Sequence, residues 1–157
     1  MRDTHEFEVS VEWRGNRGTG TSGYRDYGRQ LVIRAPQKTE LEGSAARVFH
    51  GDRDRWNPEE LLVAALAECH MLSYLHMAVR GGVVVTAYSD DAVGTLRVAG
   101  LGGAFAEVVL RPRVTVAEPG MVDAARQAHV EAREHCFIAN SVNFPVRHEP
   151  EIVVAGE

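Results

Sequence analysis

The stretch LLVAALAECHMLSYLHMAV, residues 61–79, constrains this chain more than any other part of it. Asn57 can cap a helix, Pro58 suits the first helical position, and Glu60 completes a capping-box spacing. After Arg80, Gly81-Gly82 supplies a stop. The spacing therefore predicts one helix over 58–80. With Cys69 as reference, Leu62, Ala65, Leu66, Leu72, Ser73 and His76 share its face. Val63, Ala64, Ala67 and Leu75 occupy the opposite side, so the helix is apolar almost all round. Such a helix has to be covered on most sides, by its own sheet and by a partner.

Around it, the pattern alternates between strands and helices. Phe7, Val9, Val11 and Trp13 alternate with polar residues, the period of a half-buried strand. The segment RGNRGTGTSGYRDYG reads as a turn or mobile loop, and RQLVIRA as the second strand of a hairpin. The region 36–56 is irregular, with a short strand near Arg47–Phe49. Val83–Tyr88 and Gly94–Val98 read as strands, followed by one long strand over Phe105–Val116. Met121 opens a second helix, whose apolar positions Met121, Ala125, Ala128 and Ala132 lead to Cys136. A last strand lies near Ile152–Val154. Strands then helix, twice over, indicate an α+β fold, and 157 residues suit a single domain, 1–157.

A formal net charge of −5 argues against nonspecific binding to nucleic acid, which needs a basic surface. The N-terminus has no apolar core of a signal peptide, and Glu68, His70 and His76 interrupt the longest apolar run. The expectation is a soluble cytoplasmic protein with neither a nucleic-acid nor a membrane partner. In a reducing compartment, cysteines are more often buried, metal-bound or catalytic than bridged.

The chain has two cysteines, Cys69 and Cys136. They are too far apart in sequence for a redox CxxC loop, so only the tertiary fold can bring them together. A free cysteine often behaves as a small buried hydrophobe, and that reading stands beside the reactive one. Cys69 lies well past the first turn of its helix, where the helix dipole gives a thiolate little help. Activating it takes a nearby cation, for which the arginines of the N-terminal loop are the candidates. Cys136 falls near a helix C-terminus, where the dipole disfavours a thiolate. By this argument Cys69 attacks and Cys136 resolves. Glu59 is favoured by the helix dipole whatever its function. It stands ~15 Å along the helix from Cys69, so it serves that thiol only by holding an arginine or by acting on a partner chain.

Other chemistry is thinly represented. His70 and His76 flank Cys69, and His135 precedes Cys136, but no tight ligand cluster appears and no metal is expected. The loop glycines in RGTGTSG lack the Lys-Ser/Thr of a phosphate-binding loop, and no cofactor is expected.

The segment NPEELLVAALAECHM at Asn57–Met71, the second cysteine after the following long helix, and the WRGNRGTGT hairpin together resemble the OsmC/Ohr proteins (osmotically induced protein and organic hydroperoxide resistance protein). The resemblance extends over most of the chain. It implies antiparallel sheets around long central helices in an intertwined homodimer, with two active sites at the interface. It also implies thiol-dependent reduction of an organic hydroperoxide. Cys69 would be the peroxidatic thiolate and Cys136 its disulfide partner. Glu59 would hold the activating arginine, and a dithiol reductant, lipoyl-type or other, would restore the enzyme. Arg17 best matches the arginine's context, with Arg25 and Arg29 as alternatives. Two departures mark a separate branch. Cys136 is followed by Phe-Ile-Ala-Asn-Ser-Val rather than Pro, and HMLSYLHM follows Cys69 in place of a more uniformly apolar run. A noncatalytic ligand-binding dimer with inert thiols and a Cys/His metal protein are the competing readings.

Overall fold

The computed structural model describes residues 3–156, so residues 1, 2 and 157 of the expected domain lie outside it. The chain forms two compact units, divided between Leu61 and Leu62. The division falls inside the first long helix, α1 (Pro58–Arg80).

The first unit holds a three-stranded antiparallel sheet, β1 (Ser10–Trp13), β2 (Leu31–Arg34) and β3 (Leu41–Gly43), with β2 central. Val11 pairs with Ile33 and Val32 with Glu42. The period-2 pattern does predict β1, but its apolar side is not half-buried: Val11 and Trp13 are exposed on an edge strand. The loop between β1 and β2 is an ordered turn. Asn16 Oδ1 accepts from the N–H groups of Gly18 and Gly20, at 2.9 and 3.0 Å, the local side-chain bonding that favours Asn in turns. Gly28 N–H donates to Gly15 O, and Trp13 Nε1 to Gly28 O, both at 2.8 Å. The strand expected near Arg47–Phe49 is instead a turn of 3₁₀ helix, ended by His50 in the left-handed region at φ 65°. The third strand forms earlier, at Leu41–Gly43.

α1 starts and stops as its end signals predict. Asn57 Oδ1 accepts from the Glu60 N–H at 2.8 Å, and Gly82 adopts φ 70° just past the last turn. Within a single chain its coverage is one-sided. One stripe, Leu66, His70, Tyr74 and Met77, is buried, while Leu72 and Val79 are 56% and 77% exposed. By length and composition α1 is also apolar enough to cross a membrane, yet its buried stripe enters the core of the second unit.

That unit carries two three-stranded sheets. β4 (Val85–Asp90), β7 (Pro112–Val116) and β9 (Glu151–Val154) form one, in the order β4-β7-β9. β5 (Val93–Ala99), β6 (Gly102–Leu110) and β8 (Val146–His148) form the other, in the order β5-β6-β8. Both sheets are mixed, not antiparallel as expected, because β6–β8 and β7–β9 run parallel. The helix α2 (Val122–His135) intervenes before β8 and β9, and a strand that returns after such a crossover can join parallel to its neighbour. The run expected as one strand over Phe105–Val116 is two. Arg111 gives its N–H to Asp90 Oδ1 at 2.7 Å, and Pro112, which has no N–H, opens the strand of the other sheet. Tyr74, Met77 and Ala78 of α1 pack with Val114, Val116 and the Ala125, Ala128, Ala132 stripe of α2. Leu66 packs with Val108 and Leu110.

Candidate thiol site

The fold of the second unit brings Cys69 and Cys136 together. Cys69 is half-buried in the middle of α1, and Cys136 is buried at the C-cap of α2. Both thiols are free. Three features place Cys136: the Ala132 stripe anchors the last turn of α2, the backbone turns extended at Cys136 (φ −76°, ψ 107°), and Asn140 N–H closes back on Cys136 O at 3.0 Å. Ala139 N–H also points at Cys136 Sγ, at 3.5 Å.

Burial pushes the Cys136 thiol up to about 11, and the neighbouring Cys69 thiol raises it further. The Ala139 and Ile138 N–H groups oppose the shift. Burial is thus the leading cause of its reluctance to ionise, rather than the helix dipole that sequence position suggests. A thiol held protonated beside a second cysteine must lose its proton before its sulfur can condense with an oxidised partner.

Glu59 occupies the first turn of α1, with Oε2 buried and without a hydrogen-bond partner among the described residues. None of the described arginines pairs with it. Arg17 donates from Nη1 to Arg25 O at 3.3 Å. Arg29 is bound more firmly to the loop, donating to Tyr27 O at 2.9 Å and Tyr24 O at 3.1 Å, with its guanidinium 4.1 Å from the Tyr27 ring centre. The first unit therefore holds a carboxylate without a cation and arginines without a carboxylate.

Of the three histidines singled out by sequence, only His70 is buried. His76 and His135 are exposed. His70, His129 and His148 gather instead inside the second unit. The His70 and His129 rings stack with centres 5.3 Å apart, and His148 lies 4.2 Å from His70. Burial lowers His70 to about 3, and both His129 and His148 to about 4, and neighbouring positive charge adds to each shift. His70 Nδ1, His129 Nε2 and His148 Nδ1 have no hydrogen-bond partner among the described residues. Among the described residues no group of three or more His, Cys, Asp or Glu is arranged to hold a metal ion. A helical reading centred on Leu66 and Tyr74, rather than on Cys69, would have placed His70 on the buried stripe. His129 shows the same signal, one residue past Ala128. His148, in a three-residue strand, gives none.

Residues 50–151 match the family described as OsmC-like protein. An OsmC-like protein of Vibrio cholerae superposes with a TM-score of 0.83 at 30% identity, covering 94% of this chain and 99% of its own. The Bacillus subtilis protein YmaD is 24% identical over 161 residues, 98% of each chain. An organic hydroperoxide resistance protein OsmC of Legionella pneumophila, described as a predicted redox protein, shares the fold with a TM-score of 0.67 at 16% identity over 97% of this chain and 99% of its own.

Proposed function

The chain belongs to the OsmC-like protein family, and from that premise we propose that it is a thiol-dependent peroxidase that reduces organic hydroperoxides to alcohols. Two free thiols near enough for Cys69 to raise Cys136 carry this reading. The Legionella relative's description as an organic hydroperoxide resistance protein supports the substrate class.

In the proposed reaction the Cys69 thiolate attacks the distal oxygen of ROOH. An S–O bond forms, the O–O bond breaks, and the departing alkoxide takes a proton to become ROH. Cys69 is left as a sulfenic acid. The Cys136 sulfur displaces its hydroxyl as water, forming a Cys69–Cys136 disulfide. A dithiol reductant, lipoyl-type or other, opens that disulfide by two exchanges and is itself oxidised to a disulfide. Arg17, with Arg25 and Arg29 as alternatives, stabilises the Cys69 thiolate by its charge, and Glu59 holds that guanidinium in a fixed fork. The buried, unpartnered Glu59 Oε2 supports the last assignment, since a buried acceptor without a donor is costly. Leu72 and Val79, left exposed on α1, support assembly as a homodimer. Residues 1–157 act as one functional domain, in a cytoplasm that keeps both thiols reduced between turnovers.

Thiol counting in denaturant, before and after one equivalent of cumene hydroperoxide, tests the reading. Loss of both thiols, abolished in Cys69→Ser, is the expected result. Two unchanged thiols would favour a noncatalytic ligand-binding dimer.

A further inference from the structure

The first unit contains a cleft of about 360 Å³ lined by Arg17, Tyr24, Arg25, Tyr27, Arg29 and His50. Three guanidiniums converge on it, and none forms an ion pair among the described residues. Of the same unit's other described arginines, Arg14, Arg34 and Arg55 each pair with a glutamate, whereas Arg47 and Arg53, which do not line the cleft, form no ion pair. The nearest loop carboxylate, Asp26, accepts from Ser22 Oγ at 3.3 Å and does not line the cleft. Three like charges without an ion pair among the described residues leave a local positive field in a chain of net charge −5.

The cleft is also held in shape. The Arg29 guanidinium sits between two rings, 4.1 Å from the centre of Tyr27 and 5.1 Å from that of Tyr24, and two loop carbonyls fix its orientation. Arg17 is tied to the backbone of Arg25. His50 meets Tyr24 edge to face at 5.5 Å, placed there by its left-handed backbone at the end of a 3₁₀ turn. Arg25 makes no side-chain hydrogen bond among the described residues, so its fork is free to close on a ligand.

We propose that this cleft is a binding site for a small oxyanion, the carboxylate or phosphate group of a ligand, with Arg25 as the closing arm over a base formed by Arg17 and Arg29. Planar guanidiniums match both groups through paired N–H···O contacts. Arg17 and Arg29 are also candidates for activating Cys69, so this site and the thiol reaction draw on shared residues. The site stands on the loop residues and does not rest on the peroxidase reading.

The test uses the full chain carrying Cys69→Ser and Cys136→Ser, which removes thiol chemistry. Inorganic phosphate and octanoate are titrated separately at low ionic strength, and backbone and arginine Nε–H signals are followed by NMR. Saturable shifts confined to residues 16–29 and His50, weakened about tenfold or more by Arg25→Ala, are the expected result. Arg25→Lys, which keeps the charge and loses the fork, should bind between the two. Saturation by phosphate alone identifies a phosphorylated ligand, and saturation by octanoate alone a carboxylate. Failure of both anions to saturate, or binding unchanged in a folded Arg25→Ala chain, overturns the proposal. Peroxide consumption by the unsubstituted chain is a separate measurement, so either reading can fail without the other.

Discussion

His70 Nε2 lies 3.0 Å from His129 Nδ1, inside the second unit and between the two cysteine-bearing helices. One ring must donate and the other accept, so the accepting ring is neutral, and burial favours the neutral form of both. His148 faces His70 from β8, Arg133 adds its charge to His148, and Tyr74 stacks on His129 at 4.0 Å. Only the unfolded chain can protonate these rings near their ordinary value of about 6.5.

Acid should therefore destabilise the protein early. The folded values lie near 3 and 4, so the unfolded state binds more protons between about pH 6.5 and those values, and stability falls as pH falls through that window. Each histidine contributes a slope of up to about 1.4 kcal/mol per pH unit. Urea unfolding measured from pH 7.5 to 4.5 should show the decline. His129→Phe should flatten it, although the variant starts lower by about 1–3 kcal/mol because His70 loses its partner. An unchanged slope would exclude the cluster as its source.

The two thiols should differ sharply in native alkylation. Cys136, buried and raised to about 11, should resist iodoacetamide near neutral pH and gain roughly tenfold in rate per pH unit above it. Peptide mapping by mass spectrometry after timed alkylation reads this directly. After peroxide, Cys136→Ser should accumulate a sulfenic acid on Cys69 that dimedone traps, whereas Cys69→Ser should give no adduct.

Glu59→Gln separates a positioning role from a structural one. Removing a buried charge without a partner should leave thermal stability equal or improved. If Glu59 holds the activating arginine, alkylation of Cys69 at neutral pH should slow roughly tenfold, and its pH profile should move upward. Unchanged Cys69 reactivity would remove Glu59 from the mechanism.

Gly51 should tolerate no side chain. A Cβ there would sit 1.5 Å from Ala45 O, a backbone atom that cannot swing aside. Gly51→Ala should cost about 3 kcal/mol, at the upper end of ordinary substitutions. Asn57→Ala, which loses the cap bond to Glu60, should cost about 1 kcal/mol. Thermal melts of the two variants give the comparison.

The parts of this architecture legible in the sequence are those written in short-range chemistry. Asn57, Pro58 and Gly82 bound α1 because capping and left-handed stops act within one turn. The alanine stripe of α2 shows in its spacing. The break at Arg111-Pro112 was hidden because both sides of it are equally strand-like, and only the choice of sheet differs. Parallel pairing of β8 and β9 is likewise set by distant partners. The thiol pair shows the same limit: spacing excluded a local motif, yet only the packed fold puts Cys136 against Cys69. The histidine cluster depends on three elements meeting, so no single stretch announces it.

The placement of β8 and β9 has a consequence for biosynthesis. Val108 pairs with Val146 and Val116 with Val154, so each sheet of the second unit waits for a strand made some 38 residues after its neighbour. On the ribosome, β6 and β7 emerge with one side unpaired and stay so until residues 146–154 have been translated. During that interval their open edges are exposed to other nascent strands. Translation speed through residues 117–154, rather than the stability of the finished fold, should then govern how much of the protein escapes aggregation.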